Sequence, residues 1–94
     1  MGKVRHIVIF VAKPGVTGEE IISLLKQLDA GEPGVLSFAA EQSLDKRKGV
    51  VIIENILFAD ERTFERFRIS PIHKELGEKM SKLADWLVAD YIEA

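Results

Sequence analysis

The chain has 94 residues, of which 47% are hydrophobic and 30% are charged, and its formal net charge is -2. This composition is typical of a globular protein, and we expect residues 1–94 to form a single domain. A slightly acidic chain with no basic stripe argues against nucleic acid as a partner. Cysteine is absent, which excludes disulfides, thiol nucleophiles and thiolate metal sites. No apolar run approaches the roughly 20 residues that cross a bilayer, and the first strand starts too early to leave room for a signal peptide. We therefore expect a cytoplasmic protein with no membrane partner.

The run from Val4 to Val11 has the pattern of a strand that is buried on both faces. Alternate residues of an extended chain point to opposite sides, and here both sides are apolar. β-branched residues dominate the run, and a strand covered on both faces lies in the middle of a sheet. The run carries one ionisable side chain, His6, into that interior.

A first helix is predicted to begin after Thr17, because Glu20 stands three residues later and completes a capping box. Apolar residues follow at helical spacing as far as Leu28, and the glycines and proline of residues 31–34 are predicted to end the helix. Residues 35–42 have the pattern of a second strand, and a charged turn follows them.

The second half of the chain predicts a third strand, an interrupted helix and a fourth strand. Residues 50–58 are apolar on both sides, with Glu54 as the charged exception. The helix that follows is predicted to restart at residues 70–71, because serine is a good cap and proline suits the first helical position. Residues 86–92 are the predicted last strand.

The predicted order βαββαβ is that of a ferredoxin-like α+β fold with a four-stranded antiparallel sheet. Right-handed crossovers place the helices on one sheet face and the first and third strands in the centre. The other face would expose more apolar surface than a monomer tolerates, and burying it would contribute on the order of 10 kcal/mol. We therefore predict a homodimeric α+β barrel in which two-fold symmetry covers this face. Its residues are Ile7, Ile9, Val11, Val51, Ile53 and Leu57.

Five short motifs occur in a characteristic order and spacing: residues 5–10 (RHIVIF), 13–15 (KPG), 33–35 (PGV), 70–73 (SPIH) and 90–91 (DY). Together they resemble the stress-responsive A/B barrel (Dabb) family, and the resemblance covers nearly the whole chain. It implies a dimeric α+β barrel of the ferredoxin-like kind. Small monooxygenases and antibiotic-biosynthesis enzymes have related barrels.

The family includes a polyketide cyclase, a heat-stable oligomeric stress protein and many members without an assigned activity. By resemblance to the cyclase, the histidine of its Pro-x-His motif corresponds to His73, the first-strand histidine to His6 and the terminal aspartate to Asp90. The cyclase's catalytic tyrosine corresponds to Phe67, and Ser70 stands where many members have a first histidine. Because Phe67 has no hydroxyl, the cyclase mechanism is not available in that form, and the expectation moves from an enzyme towards a binding module.

Four ionisable groups, His6, Glu54, His73 and Asp90, are predicted to share one cavity between the helices and the sheet. Such a cavity, mostly apolar with a few convergent polar groups, is the usual form of a small-molecule site. We predict that Asp90 accepts a hydrogen bond from His73 and fixes its tautomer, which makes His73 and Asp90 the candidate catalytic pair. Glu54 is costly to bury alone, so it should pair with His6 or His73 or lie near an open end. The predicted ligand-binding residues are His6, Val8, Phe10, Leu25, Ile52, Glu54, Phe67, Leu76 and Trp86.

Three functions stay open at this point. The first is binding of a small apolar ligand, and the second is a cofactor-independent enzyme, lyase-like or monooxygenase-like, with His73 as general base. The third is a stress-linked structural protein that only assembles. A zinc or iron site is disfavoured because neither the His-x-His nor the His-x₃-His spacing occurs. No glycine-rich loop follows a strand and opens a helix, so we expect no cofactor.

Overall fold

The computed structural model describes residues 2–29 and 33–94 as a four-stranded antiparallel sheet with helices packed on one face. The elements in chain order are β1 (Lys3–Ala12), α1 (Gly18–Lys26), β2 (Val35–Gln42), β3 (Val51–Phe58), α2 (Glu61–Arg68), α3 (Pro71–Met80) and β4 (Ala84–Glu93). A short 3₁₀ turn, Gln27–Asp29, follows α1. The predicted ferredoxin-like order βαββαβ is confirmed, with the second helical segment divided into α2 and α3.

The strand order in the sheet is β2-β3-β1-β4, which confirms that the first and third strands are central. β1 pairs antiparallel with β3 on one side and with β4 on the other. The last strand is longer than the predicted residues 86–92, because its pairing with β1 continues to Ala84 opposite Ala12. Backbone pairing at a strand end is not visible in the side-chain pattern from which the boundary was predicted.

The helices begin at the predicted caps. The Thr17 hydroxyl accepts a hydrogen bond from the Glu20 amide at 3.2 Å, and the Glu20 carboxylate accepts one from the Thr17 amide at 2.8 Å. The Ser70 hydroxyl accepts from the His73 amide at 3.2 Å at the start of α3. The predicted end of the first helix falls partly on Gly31 and Glu32, which lie outside the described residues. Within residues 2–29 and 33–94, no helix has the length and apolar character that crossing a bilayer requires.

The hydrophobic core lies between the helices and the sheet. Alternate residues of β3 are buried, and Ile52, Ile56 and Phe58 are fully covered from the helix side together with Ile21 of α1. Each such side chain contributes roughly 1.5–3 kcal/mol through burial. This core fixes which face of β1 and β3 the helices cover, and therefore which side chains can reach a cavity beneath them.

The opposite sheet face has no element of the described chain packed on it. Ile9 is 38% exposed and Leu87, its neighbour on β4, is 67% exposed. A polar cluster lies at one end of this face, where the Arg5 guanidinium donates to the Asn55 side-chain oxygen and to both oxygens of the Glu93 carboxylate, each at 3.0 Å. The middle of the face is apolar.

Gly34→Ala is expected to destabilise the fold more than Gly15→Ala. Both glycines have positive φ, 91° and 83°, where an alanine costs about 1–2 kcal/mol. A Cβ on Gly34 would also lie 2.6 Å from the Thr63 hydroxyl oxygen, whereas one on Gly15 meets no heavy atom of the described residues within 4 Å. Urea denaturation should therefore show a loss of about 1 kcal/mol for Gly15→Ala and roughly 2–4 kcal/mol for Gly34→Ala. Equal losses would contradict the close approach to Thr63.

Candidate functional site

A cavity of about 190 Å³ lies between α3 and strands β1, β3 and β4. Its walls are mostly apolar, and its polar groups come chiefly from β1, β3 and β4. An engineered apolar cavity of about 150 Å³ admits benzene, so a volume of this size suits a molecule built on a single ring. The lining residues are His6, Val8, Phe10, Leu25, Leu28, Glu54, Arg68, His73, Leu76, Gly77, Met80, Trp86, Val88 and Asp90.

One face of α3 forms the wall opposite the sheet. The α3 residues that line the cavity lie on a single helix face, as their spacing requires. They are His73, Leu76, Gly77 and Met80. Gly77 lies in the middle of this face, and a Cβ there would meet no heavy atom of the described residues within 4 Å. Glycine at a helix interior costs about 1 kcal/mol relative to alanine. The missing side chain therefore leaves room in the cavity at some cost in helix stability.

His6 and Asp90 form a direct ion pair at the polar end of the cavity. The distance from His6 Nδ1 to Asp90 Oδ1 is 2.5 Å. The two residues stand opposite each other in the β1–β4 pairing, so the strands bring the side chains together. The His6 ring is 4% exposed, and its centroid lies 5.6–6.2 Å from the rings of Phe58, Phe64 and Phe67. An ionisable ring is thus held in an aromatic environment by a carboxylate.

Glu54 approaches the same histidine from β3. Its side chain is buried, and the distance from Glu54 Oε1 to His6 Nε2 is 3.6 Å. That separation is an ion-pair contact and is too long for a hydrogen bond. Glu54 Oε2 and His6 Nε2 have no hydrogen-bond partner among the described residues. Nearly all buried polar atoms have such a partner, so this pair of atoms marks an unsatisfied polar region beside the cavity.

The two histidines of the site have opposite pKa shifts. Burial by itself lowers the pKa of His6, but the carboxylates of Glu54 and Asp90 outweigh burial, and the net pKa is raised above 6.5. Burial also lowers the pKa of His73, where Glu54 opposes it and the charge of His6 adds to it, and the net pKa is lowered. Compared with a free imidazole, His6 is therefore shifted towards the imidazolium form and His73 towards the neutral form, which can accept a proton.

The predicted hydrogen bond between Asp90 and His73 is wrong. Asp90 pairs with His6 because the two are direct cross-strand neighbours, whereas His73 lies on α3 at the opposite wall of the cavity. The His73 ring instead packs on Phe67, with 4.8 Å between centroids. Glu54 was expected either to pair with His6 or His73 or to lie near an open end, and in the structure its carboxylate lies 3.6 Å from His6 Nε2.

Most of the predicted site residues line the cavity, but Ile52 and Phe67 do not. Ile52 is 0% exposed and lies beneath the start of α1, where Gly18 approaches it closely. Phe67 is 2% exposed and packs on Phe58, with 4.9 Å between ring centroids. Ile52 faces the helices and Phe67 faces the sheet, but both belong to the closed core. Periodicity indicates the face on which a residue lies, and it does not distinguish a core position from a cavity wall.

Five lining residues were not predicted as site residues: Leu28, Arg68, Gly77, Met80 and Val88. Met80 shares a helix face with the predicted His73 and Leu76, and Val88 alternates with the predicted Trp86 and Asp90 along β4, so periodicity could have found both. Gly77 could have been found from the sequence, because a glycine in a helix interior destabilises the helix and so indicates that the position has another role. Arg68 ends α2 and had no such feature. Among the described residues, no three His, Cys, Asp or Glu side chains are arranged to hold a metal ion.

NMR titration of the ring protons should show His6 titrating above pH 6.5 and His73 below it, in the directions that their raised and lowered pKa values give. Asp90→Asn removes one of the two carboxylates and should lower the pKa of His6. A raised histidine pKa stabilises the fold fully below pH 6.5, and this contribution is lost as the pH rises through the folded-state pKa. The stability deficit of Asp90→Asn should therefore shrink as the pH rises through that range. A His6 ring that titrates below pH 6.5 would contradict the ion-pair arrangement.

Comparison with known proteins agrees with this architecture. The family model described as Stress responsive A/B Barrel Domain matches residues 4–93. SnoaB, a cofactor-independent oxygenase from Streptomyces nogalater, superposes with a TM-score of 0.83 at 14% identity, over 100% of this chain and 95% of that chain. A dimeric ferredoxin-like protein of unknown function from Thermobifida fusca gives 0.82 at 20% identity, over 98% of this chain and 92% of that one.

A dimeric protein of unknown function with a ferredoxin-like fold from Bacteroides fragilis gives a TM-score of 0.73 at 17% identity, over 99% of this chain and 98% of that one. No protein in a set of curated sequences matches this chain. At these identities the solved structures show a shared fold and nothing finer. The family model, in contrast, covers nearly the whole chain. The chain therefore belongs to the stress-responsive A/B barrel (Dabb) family, as its motifs indicated.

Proposed function

We propose that this protein binds a small, mostly apolar molecule in the cavity between α3 and the sheet. The observation that carries the proposal is an apolar cavity whose wall includes the buried pair His6 and Glu54, each with a polar atom that has no partner in the described chain. Small-molecule sites usually combine an apolar wall with a few polar groups that orient the ligand. The open space at Gly77 supports the same conclusion, because alanine there would favour the helix.

A purely structural role for the polar groups fits the structure less well. Buried polar networks that serve packing are normally complete, because each unsatisfied atom costs about 1–3 kcal/mol. Here the His6–Asp90 contact is complete, but Glu54 contributes a buried carboxylate that only approaches His6 at 3.6 Å. A bound molecule that pairs with the unsatisfied atoms would offset this cost.

A cofactor-independent enzyme is the second candidate, and the lowered pKa of His73 favours it. A neutral imidazole beside an apolar cavity can take an acidic proton from a bound molecule. Glu54 on the facing strand raises the pKa of His73 and so opposes the effect of burial, which would help to stabilise the imidazolium that forms. SnoaB, with the same fold, is described as a cofactor-independent oxygenase, which supports the chemistry without assigning it to this chain. His73 is the proposed base, and Asp90 acts in this scheme only through His6.

We also propose that the protein is a homodimer that packs the two open sheet faces together. The proposed interface is the face formed by Ile7, Ile9, Val11, Val51, Ile53 and Leu57, and Leu87 extends it on β4. Large contiguous apolar patches on a soluble protein usually mark an interaction surface. The relatives from Thermobifida fusca and Bacteroides fragilis are described as dimeric, which supports this arrangement.

Gly77→Leu should strongly weaken the binding of toluene, which serves as a probe of the cavity. In the wild-type protein we expect saturable shifts of amide NMR signals around the cavity, with a Kd on the order of 1 mM. The leucine side chain would occupy the space that Gly77 leaves open, and the Kd should rise at least about tenfold. Gly77→Ala is the matched control, because it adds one methyl group, should stabilise the helix by up to about 1 kcal/mol and should weaken binding far less.

Unchanged toluene affinity in Gly77→Leu would place the binding site elsewhere. If neither toluene nor any other single-ring probe binds to the wild-type protein, the ligand-binding proposal is wrong, and a protein that only assembles becomes the better explanation.

Ile9→Glu should convert the proposed dimer into a monomer. Light scattering at micromolar concentration should give twice the chain mass of 10.5 kDa for the wild-type protein and the single mass for the variant. The buried carboxylates that the variant would place in the interface have no partner there, which makes association unfavourable. Leu44→Glu is the control, because Leu44 is 96% exposed in the loop between β2 and β3, and this variant should stay dimeric. A monomeric wild-type protein would refute the proposed assembly.

A further inference from the structure

The two unpartnered atoms of the site differ in what they require. The His6 ring has a carboxylate at each nitrogen, with Asp90 Oδ1 2.5 Å from Nδ1 and Glu54 Oε1 3.6 Å from Nε2. Carboxylates on both sides favour a proton on both nitrogens, because a bare ring nitrogen would face an oxygen lone pair. His6 Nε2 is thus a donor that needs an acceptor. Glu54 Oε2 is a carboxylate oxygen, which needs a donor.

A hydroxyl is the simplest group that serves both atoms, because one oxygen can accept one hydrogen bond and donate another. An ammonium can donate to Glu54 but offers nothing to His6 Nε2, and a carboxylate can accept from His6 but offers nothing to Glu54. Both His6 and Glu54 line the cavity, but the two atoms themselves are buried, so a partner that enters from the cavity would have to shift these side chains slightly to contact them. We infer that the cavity takes an apolar molecule with a hydroxyl head group, which accepts a hydrogen bond from His6 Nε2 and donates one to Glu54.

The charges around the cavity agree with a neutral head group. The end of the cavity at His6 holds two carboxyl groups, so a ligand carboxylate would face groups of its own kind. A ligand ammonium would lie beside His6 Nε2, which is itself a donor. Arg68 is the remaining cation at the wall, and its side chain is 56% exposed and lies 3.5 Å from a carboxylate oxygen of Glu65. It is therefore a poor anchor for an anion deep in the cavity.

The apolar wall determines where the rest of the molecule lies. The hydroxyl would point towards β1 and β3, and the ring or chain would lie along Leu76, Gly77 and Met80 of α3, with Trp86 at the β4 side. Trp86 is 41% exposed, so a longer apolar substituent could leave the cavity past this ring. The ligand class is thus a small alcohol or phenol with an apolar body. This inference specifies the head group for the binding function proposed above and depends on that function.

Four probes with the same ring test the inference: toluene, benzyl alcohol, benzylamine and benzoate, titrated into the ¹⁵N-labelled full chain. Benzyl alcohol should bind about tenfold more tightly than toluene, and the two ionic probes should bind more weakly than benzyl alcohol. Only benzyl alcohol should shift the His6 Nε2 resonance strongly.

Glu54→Met removes the carboxylate with little change in side-chain length, and the ratio of the toluene Kd to the benzyl alcohol Kd should fall towards one. Glu78→Met makes the same change on the exposed side of α3 and should keep the ratio.

The possible results distinguish a failure of the hydroxyl inference from a failure of the proposed binding function. The hydroxyl inference fails if benzyl alcohol binds no more tightly than toluene, or if either ionic probe binds more tightly than benzyl alcohol. In both cases the proposal that the cavity binds small molecules is still supported. A preference for benzyl alcohol that survives in Glu54→Met would also overturn the hydroxyl inference. If none of the four probes binds, the binding function itself fails. Should Glu54→Met not fold, the wild-type series and the His6 resonance still decide the question.

Discussion

A single histidine between two carboxylates is the constraint on which the rest of the structure depends. His6 lies in the interior of the sheet, and the side chains that accompany its charge come from both neighbouring strands, Glu54 from β3 and Asp90 from β4. A buried charge without such partners costs several kcal/mol. A shift of either strand by one residue would turn the carboxylate to the other face of the sheet. The polar contacts therefore reinforce the register that the hydrophobic pattern already favours.

The cavity exists because α3 does not pack directly against the sheet along its whole inner face. α1 covers β2 and β3 with large apolar side chains, whereas α3 presents a glycine at the middle of its inner face and faces the edge strand β4. The sheet supplies rigid, charged groups, and the helix supplies a wall with space in it. In the proposed binding site, specificity for a head group and capacity for an apolar body would therefore reside on different elements. A substitution could then change one of them without disturbing the other.

Much of the fold could be predicted from the sequence because it follows from local rules. Capping at Thr17 and Ser70, and two-sided apolar runs for the central strands, were sufficient to predict the element order and the sheet topology. The partner of Asp90 could not be predicted in this way. It depends on the register between β1 and β4, which are distant in the chain, and no short turn fixes that register. The prediction that Ile52 and Phe67 line the cavity was wrong for a related reason. How deeply a side chain is buried beneath a helix depends on how the helices pack together.

The polar cluster of Arg5, Asn55 and Glu93 has a further consequence for assembly. It occupies one end of the open sheet face, and the charged connection around Asp45 and Arg47 adjoins the other end, next to Ile9 and Val11. The apolar region is therefore a band with a charged border at each end. In the proposed dimer, the two copies could not slide along the strand direction without placing charged side chains against hydrocarbon. The borders would act as an alignment guide, so that one mutual orientation of the two sheets is favoured over its displaced neighbours.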